Sequence, residues 1–280
     1  MIPTLFEIPI FGGIPIHSFG LMMAIAFLTS SFVLKRLFKN TGINPEIAEQ
    51  VILIAAIGGL AGSKLYYLLF EAFDRFVKHP WEMIFSGAGL TWYGGFVVAM
   101  IGIIYLVRKN KLPIVRTIDL ISIPLPLGYG IGRIGCHLAG DGDYGKPWDG
   151  IFGTDYSRGV VPPSQAFYGT EIAKNYPNGI VPDHTLVHPT PMYEAIISIL
   201  IFFVLWQLNK KPKPAGFIIS LYFILGGLER LGIEFLRINP EVLFGLSGAQ
   251  VISMFLIIAG LVWQARLLKQ PAYSETKSKK

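Results

Sequence analysis

The sequence predicts an all-α integral membrane protein of seven transmembrane helices, with the N-terminus outside, the C-terminus cytoplasmic and an extracytoplasmic cap. Three features predict it. Hydrophobic residues make up 52% of the 280 residues and charged ones 15%, a membrane-like balance. Seven apolar stretches are long enough to span, which takes roughly 20 residues each. Nearly pure Lys/Arg clusters follow every second stretch, the signature of the positive-inside rule.

The first span covers 16–34 and is followed by Lys35, Arg36 and Lys39. The second covers 47–70; its loop, 71–82, mixes Asp74 and Arg75. The third covers 83–107, is broken early by the glycines of 86–89, and ends in Arg108, Lys109 and Lys111. The fourth, 114–139, carries Pro124 and Pro126, which should kink it. The fifth runs over 191–208 and the sixth over 215–237, with Lys210, Lys211 and Lys213 between them. A short loop around Pro240 leads to the seventh, 249–268. Basic clusters thus follow spans one, three, five and seven. Residues 140–190 form one long polar segment rich in Trp, Tyr, Pro and Gly, too aromatic for a linker. It reads as an ordered cap on the outer side. The expected organisation is one membrane domain: helices in 1–139, cap in 140–190, helices in 191–268 and a cytoplasmic tail in 269–280.

Several classes fall away. The net charge of +6 lies in inter-span clusters rather than a basic patch with interleaved aromatics, so nucleic acid is not expected as a partner. Glu7 precedes the first apolar run and no basic n-region is present, so a cleavable signal peptide is not expected. A lone cysteine, Cys136, excludes an internal disulfide. The histidines and carboxylates show no metal spacing. P-loop and serine-elbow motifs are absent too. No cofactor is expected.

The chemistry concentrates in 128–145, where Arg133 lies within an apolar span among Gly128, Gly130, Gly132, Gly135 and Gly140. A cation at the centre of a spanning helix costs about 2.5–3.5 kcal/mol on insertion scales, so it faces a cavity or a partner. Glycines let a backbone or ligand come close. Asp141 and Asp143 follow at the outer mouth. An anionic, lipid-borne group suits that arrangement. In the sixth span Arg230, Glu234 and Arg237 are four and three residues apart and should share a face. Glu234 and Arg237 can neutralise each other near the surface. Arg230 lies deeper and is the better partner for a phosphate, which guanidinium binds as a fork.

Other stretches carry two readings. Gly94 and Gly95 either pack helices closely or leave room for a headgroup beside the Tyr93 hydroxyl. In 188–194, Thr190 and Pro191 suit a helix start and Glu194 the helix dipole. His188 and Tyr193 are left over for function. Ser247 with Gln250 reads as a capping box. Lys64 lies inside the second span, well before Phe70, where snorkelling is less easy. Cys136 is a small buried filler beside Arg133 or a covalent nucleophile.

Taken together, Gly132-Arg-Ile-Gly135, Gly94-Gly95, His188-Pro-Thr-Pro-Met-Tyr-Glu194, Arg230 with Glu234 and Arg237, and Ser247-Gly-Ala-Gln250 resemble, in order, the prolipoprotein diacylglyceryl transferases of bacterial inner membranes. The resemblance implies a multi-pass inner-membrane enzyme. It would move the diacylglyceryl group of phosphatidylglycerol onto the thiol of a lipobox cysteine in a prolipoprotein peptide, releasing glycerol phosphate without metal or nucleotide. It implies catalytic roles for Tyr93, Arg133, Arg230, His137 and His188. Substrate contacts would come from Arg133, Arg230, Gly94, Gly95, Cys136, Asp141, Tyr193, Glu234 and Gln250. The chain departs from the family pattern in having Tyr93 where a His is common, Cys136 for an Asn, Asp141 for a Glu and Phe19 for a Tyr. Tyr93 is a poor base at a pKa near 10, so His137, His188 or Asp141 stands as the proton acceptor. A transporter or flippase for an anionic lipid, or a variant with another acceptor, is the competing expectation.

Overall fold

A computed structural model of the chain describes residues 1–9, 13–86 and 91–269. The chain divides into two units, Met1–Thr29 with Ile121–Lys280, and Ser30–Leu120.

Five helices among the described residues are long and apolar enough to cross a membrane: Ser18–Asn40, Glu46–Glu71, Ile114–Ala139, Thr190–Asn209 and Gly248–Leu267. The protein is therefore a mostly helical, multi-pass membrane protein. Many side chains exposed on these helices are apolar, such as Leu28, Phe32, Leu53, Ile57, Leu60, Leu200, Phe203, Phe255 and Ile258. Water would not tolerate so much exposed apolar surface; lipid does.

A hairpin of β1 (Thr4–Ile8) and β2 (Ile14–His17) precedes α1 (Ser18–Asn40). The unit Ser30–Leu120 takes the second part of α1 and then α2 (Glu46–Tyr66), which runs on through a π-helical turn at Tyr67–Glu71. Two short helices follow, α3 (Phe73–Lys78) and α4 (Pro80–Phe85), then α5 (Trp92–Lys109) and most of α6 (Ile114–Ser122). Its core is Leu34, Leu37, Phe38, Ala48, Val51, Leu106, Val107 and Leu120. Small residues let α2 and α5 meet backbone to backbone: a Cβ on Gly94 would collide with the Gly62 carbonyl, and one on Gly95 with Ser63 and the Gly59 carbonyl. Lys64 donates to the carbonyl and hydroxyl oxygens of Ser86 at 2.8 and 2.9 Å.

The other unit holds α7 (Pro124–Ala139), α9 (Thr190–Asn209), α10 (Phe217–Glu234) and α11 (Gly248–Leu267). Glycines set the spacing here too. A Cβ on Gly130 of α7 would lie 3.0 Å from the Ala195 carbonyl of α9. One on Gly260 of α11 would lie 2.7 Å from the Ser220 carbonyl of α10. Between α7 and α9 the polar segment folds around its own core of Tyr144, Tyr156, Phe167, Ala173, Val181 and Val187. It contains β3 (Thr154–Asp155), the single turn α8 (Pro163–Ala166) and β4 (Leu186–Val187), with β3 pairing β4. A hairpin of β5 (Glu241–Leu243) and β6 (Leu246–Ser247) joins α10 to α11.

Two expected spans stand and two expectations are corrected. The third stretch is broken early, as its glycines lead one to expect: α4 closes at Ser86, which is extended (φ −67°, ψ 141°), and α5 begins at Trp92. The fourth spans Ile114–Ala139 as expected, α6 and α7 meeting at Ile123, which keeps helical dihedrals (φ −65°, ψ −51°). Pro124 and Pro126 remove backbone donors there. The sixth stops at Glu234 rather than 237, closing with tight bonds from Leu236 N to Ile233 O and from Arg237 N to Glu234 O. Arg237 is thus displaced from the helical face of Arg230 and Glu234. Finally, Thr190 does not cap α9; its hydroxyl donates to the Asp143 carbonyl at 2.7 Å.

Candidate active site

Three helix ends and a loop bring six ionised side chains together. Arg133 projects from α7, Arg230 and Glu234 from α10, Glu194 from α9, Arg237 from the turn after α10, and Asp143 from the loop after α7. Arg133 and Arg230 converge, as their depth in the sequence leads one to expect. They meet on Glu194, whose side chain is fully buried: Arg133 Nε lies 2.9 Å from Oε2 and Arg230 Nη1 donates to Oε1 at 2.8 Å. Arg237 Nη1 lies 3.7 Å from Oε2. The Tyr129 hydroxyl donates to Oε1 at 3.0 Å and accepts from Arg133 Nε at 3.0 Å. A buried carboxylate facing three guanidinium groups is how isolated charge is avoided in a low-dielectric interior. Glu194 is therefore the common counter-ion, and the helix-dipole reading of it is corrected.

Glu234 does not pair with Arg237. Its Oε2 lies 2.9 Å from Arg230 Nη2, one helical turn back. Its Oε1 accepts from the Ser247 hydroxyl at 2.5 Å and from Asn239 Nδ2 at 2.8 Å. Ser247 is fixed by the expected capping box: its oxygen accepts from Gln250 N at 3.2 Å, and Gln250 Oε1 accepts from Ser247 N at 2.9 Å. Gln250 thus supports Arg230 through Ser247 and Glu234. In place of Glu234, Arg237 has Asp143, which takes Arg237 Nη2 on Oδ1 at 2.5 Å and Arg133 Nη1 on Oδ2. Burial alone would raise the Asp143 carboxyl, but Arg237 and Arg133 reverse that and hold it below the usual carboxylate range.

The loop is held by backbone. Gly145 N donates to His188 O at 2.9 Å, and Lys146 N to Leu236 O at 2.8 Å. A Cβ on Gly145 would lie 2.5 Å from Leu236 O. Gly140 (φ +63°) ends α7 in the left-handed conformation that favours glycine.

The remaining candidates line this cluster or lie apart. Cys136 is buried, with Arg133 Nη1 3.7 Å from Sγ. Its sulfur and the carboxylates of Asp141 and Asp143 offer ligand atoms within 4.8 Å of one another. Two guanidinium groups already hold Asp143 there, which leaves little negative charge for a metal cation. Burial pushes the Asp141 carboxyl up. His137 Nδ1 lies 2.7 Å from the Tyr156 hydroxyl. The His188 ring stacks on Trp148 (4.7 Å, 18°), with Nδ1 3.5 Å from the Tyr193 hydroxyl. Burial pulls His188 below the usual imidazole range. Gly94 and Gly95 have helix backbone beside them, not open space for a headgroup. Tyr93 stands in the first turn of α5, and its side chain lies outside the described residues. Asp143 as a bridge and Glu194 as the shared counter-ion escaped the sequence reading. The signal for both was a charge count, three arginines against one assigned carboxylate.

Comparison with known proteins places the chain. A family model described as prolipoprotein diacylglyceryl transferase matches residues 3–266. The chain belongs to that family. Curated relatives carry the name phosphatidylglycerol–prolipoprotein diacylglyceryl transferase. One from Clostridium tetani is 31% identical over 93% of this chain and 96% of its own length. One from Leptospira interrogans is 32% identical over 80% of this chain and 72% of its own. One from Acinetobacter baumannii is 28% identical over 91% and 90%.

Proposed function

We propose that this protein transfers the diacylglyceryl group of phosphatidylglycerol to the cysteine thiol of a prolipoprotein lipobox. The product is a thioether, and glycerol phosphate leaves. The observation that carries it is the convergence of Arg133, Arg230 and Arg237 beside the loop of Asp141 and Asp143, in a chain whose family relatives bear that name. Glycerol carbon–oxygen cleavage puts charge on the departing phosphate, and preorganised guanidinium groups stabilise it. The thiolate is the nucleophile, so its proton passes to an acceptor. His188, neutral near pH 7 because burial lowers its proton affinity, and Asp141 and His137 are the candidates. The sulfur takes the carbon, the carbon–oxygen electron pair leaves with the phosphate, and charge balances. In this reading seven spans cross the bacterial inner membrane with the N-terminus outside, α5 and α10 completing the count, and residues 140–190 cover the outer mouth. Family membership removes the support for a transporter.

Purified protein in micelles, given phosphatidylglycerol and a lipobox peptide, releases glycerol phosphate, and Arg133→Ala does not. No release, or an Arg133→Ala variant equal to wild type, overturns the reading. Cys136→Ser retains turnover, since the acceptor thiol comes from the peptide; its complete loss would indicate covalent catalysis by Cys136.

A further inference from the structure

The anion seat already contains an anion. Three guanidinium groups meet there, and two carboxylates, Glu194 and Glu234, have side chains 0% and 2% exposed. Three positive charges less two leave one. Asp143 neutralises it, taking one guanidinium on each oxygen. It differs from the other two acids in place and freedom. It stands on a loop rather than a helix, and its side chain is 34% exposed. Its carbonyl is held by the Thr190 hydroxyl, and Gly145 two residues on is held by His188 O, so the carboxylate can turn toward solvent without unfolding the loop. Glu229, beside Arg230 in sequence, has a buried oxygen with no hydrogen-bond partner and no ion pair with the arginines among the described residues. Arg237 Nη1 is likewise buried without a hydrogen-bond acceptor, 3.7 Å from Glu194 Oε2, and is a spare donor.

Resting on the transferase reading, we propose that Asp143 is a specificity-determining residue, the resident counter-ion of the headgroup seat. A phosphodiester, which carries one negative charge, displaces it from Arg133 and Arg237 and uses the spare Arg237 donor. The exchange keeps the seat neutral when empty and when filled. An incoming group must bring its own charge and at least two oxygens to compete, so lipids without an anionic phosphodiester are refused. Asp143 touches the arginines rather than the reacting carbon, so it positions and selects.

The test uses the full-length protein in micelles with glycerol phosphate as the probe, comparing wild type with Asp143→Asn and Asp143→Ser. Removing the competitor tightens glycerol phosphate binding roughly tenfold. The KM for phosphatidylglycerol falls in the same direction, whatever happens to kcat. The gain survives about 0.5 M salt, because a pair inside the protein is screened less than exposed charges. Unchanged or weaker binding, absence of binding in every form, or a gain that vanishes in salt overturns the proposal. So does failure of both variants to fold, since a residue that leaves its seat at each turnover cannot be what holds the fold. The titration needs no turnover. Wild type that binds glycerol phosphate but releases none from lipid would sink the transferase reading and leave the Asp143 result standing.

Discussion

At the scale of single residues, Glu194 decides how much charge the interior can hold. Its two oxygens serve Arg133, Arg230 and Tyr129 at hydrogen-bond distance. Removing it leaves buried cations without a partner, which costs about 3–5 kcal/mol in comparable pairs. Glu194→Ala is expected to lower the unfolding midpoint in micelles and to lose activity; an unmoved midpoint would mean that the arginines are neutralised elsewhere. Arg133 shows the complementary demand. It reaches Glu194 through Nε and Asp143 through Nη1, a span that a lysine point charge cannot cover. Arg133→Lys should therefore keep the fold yet lose roughly a hundredfold or more in kcat, read by glycerol phosphate release. The residue identities were legible in the sequence wherever a charge sat in an apolar run, as with Arg133 and Arg230. Partners were not. Asp143 and Arg237 are 94 positions apart and Arg133 and Glu194 61, and no local periodicity encodes such a pairing.

At the scale of elements, glycine contacts and chain breaks matter more than hydrophobicity. The apolar runs located α2, α9 and α11 nearly to the residue, while α1 runs six residues beyond its apolar run, through Lys35, Arg36 and Lys39 to Asn40. The breaks were harder. Pro124 signalled the interruption of the fourth stretch, but the loss of Arg237 from α10 depends on a tight final turn that composition does not announce. The α2–α5 contact yields a direct test. A Cβ at Gly62 would meet Val98 side-chain atoms at 2.7 and 2.8 Å, and overpacking of this kind costs about 1–3 kcal/mol. Gly62→Leu is expected to lower the micelle unfolding midpoint, and Gly59→Ala, where nothing lies within 4 Å, is expected to leave it unchanged. The polar segment between α7 and α9 offers a pH test. A hydrogen bond from His184 and others from Ser157 hold the Asp155 carboxyl at about 2. A depressed carboxyl contributes stability above its unfolded value near 3.9, and that contribution disappears as pH falls toward about 2. His184→Ala should flatten the acid limb of the unfolding curve within that window; an identical limb would remove His184 as the cause.

At the scale of the whole molecule, the proposed orientation rests on charge and determines which leaflet supplies the lipid. Lys109 and Lys111 follow one apolar helix, and Lys210, Lys211 and Lys213 follow another. Positive clusters stay on the cytoplasmic face because translocating them is unfavourable. The proposed N-out orientation puts the mixed segment carrying Tyr168 on the opposite face, and with it the loop of Asp141 and Asp143. In the proposed reaction the prolipoprotein presents its cysteine on that outer side, so the proposed orientation is the one that joins acceptor and arginines. Single cysteines placed in a Cys136→Ser background decide the matter. In intact cells stripped of the outer barrier, a membrane-impermeant thiol reagent should label Tyr168→Cys and spare Lys109→Cys and Lys210→Cys, while all three react after lysis. Labelling of the two lysine positions in intact cells would turn the molecule over and place the arginine cluster out of reach of the secreted thiol, leaving the transfer without an acceptor.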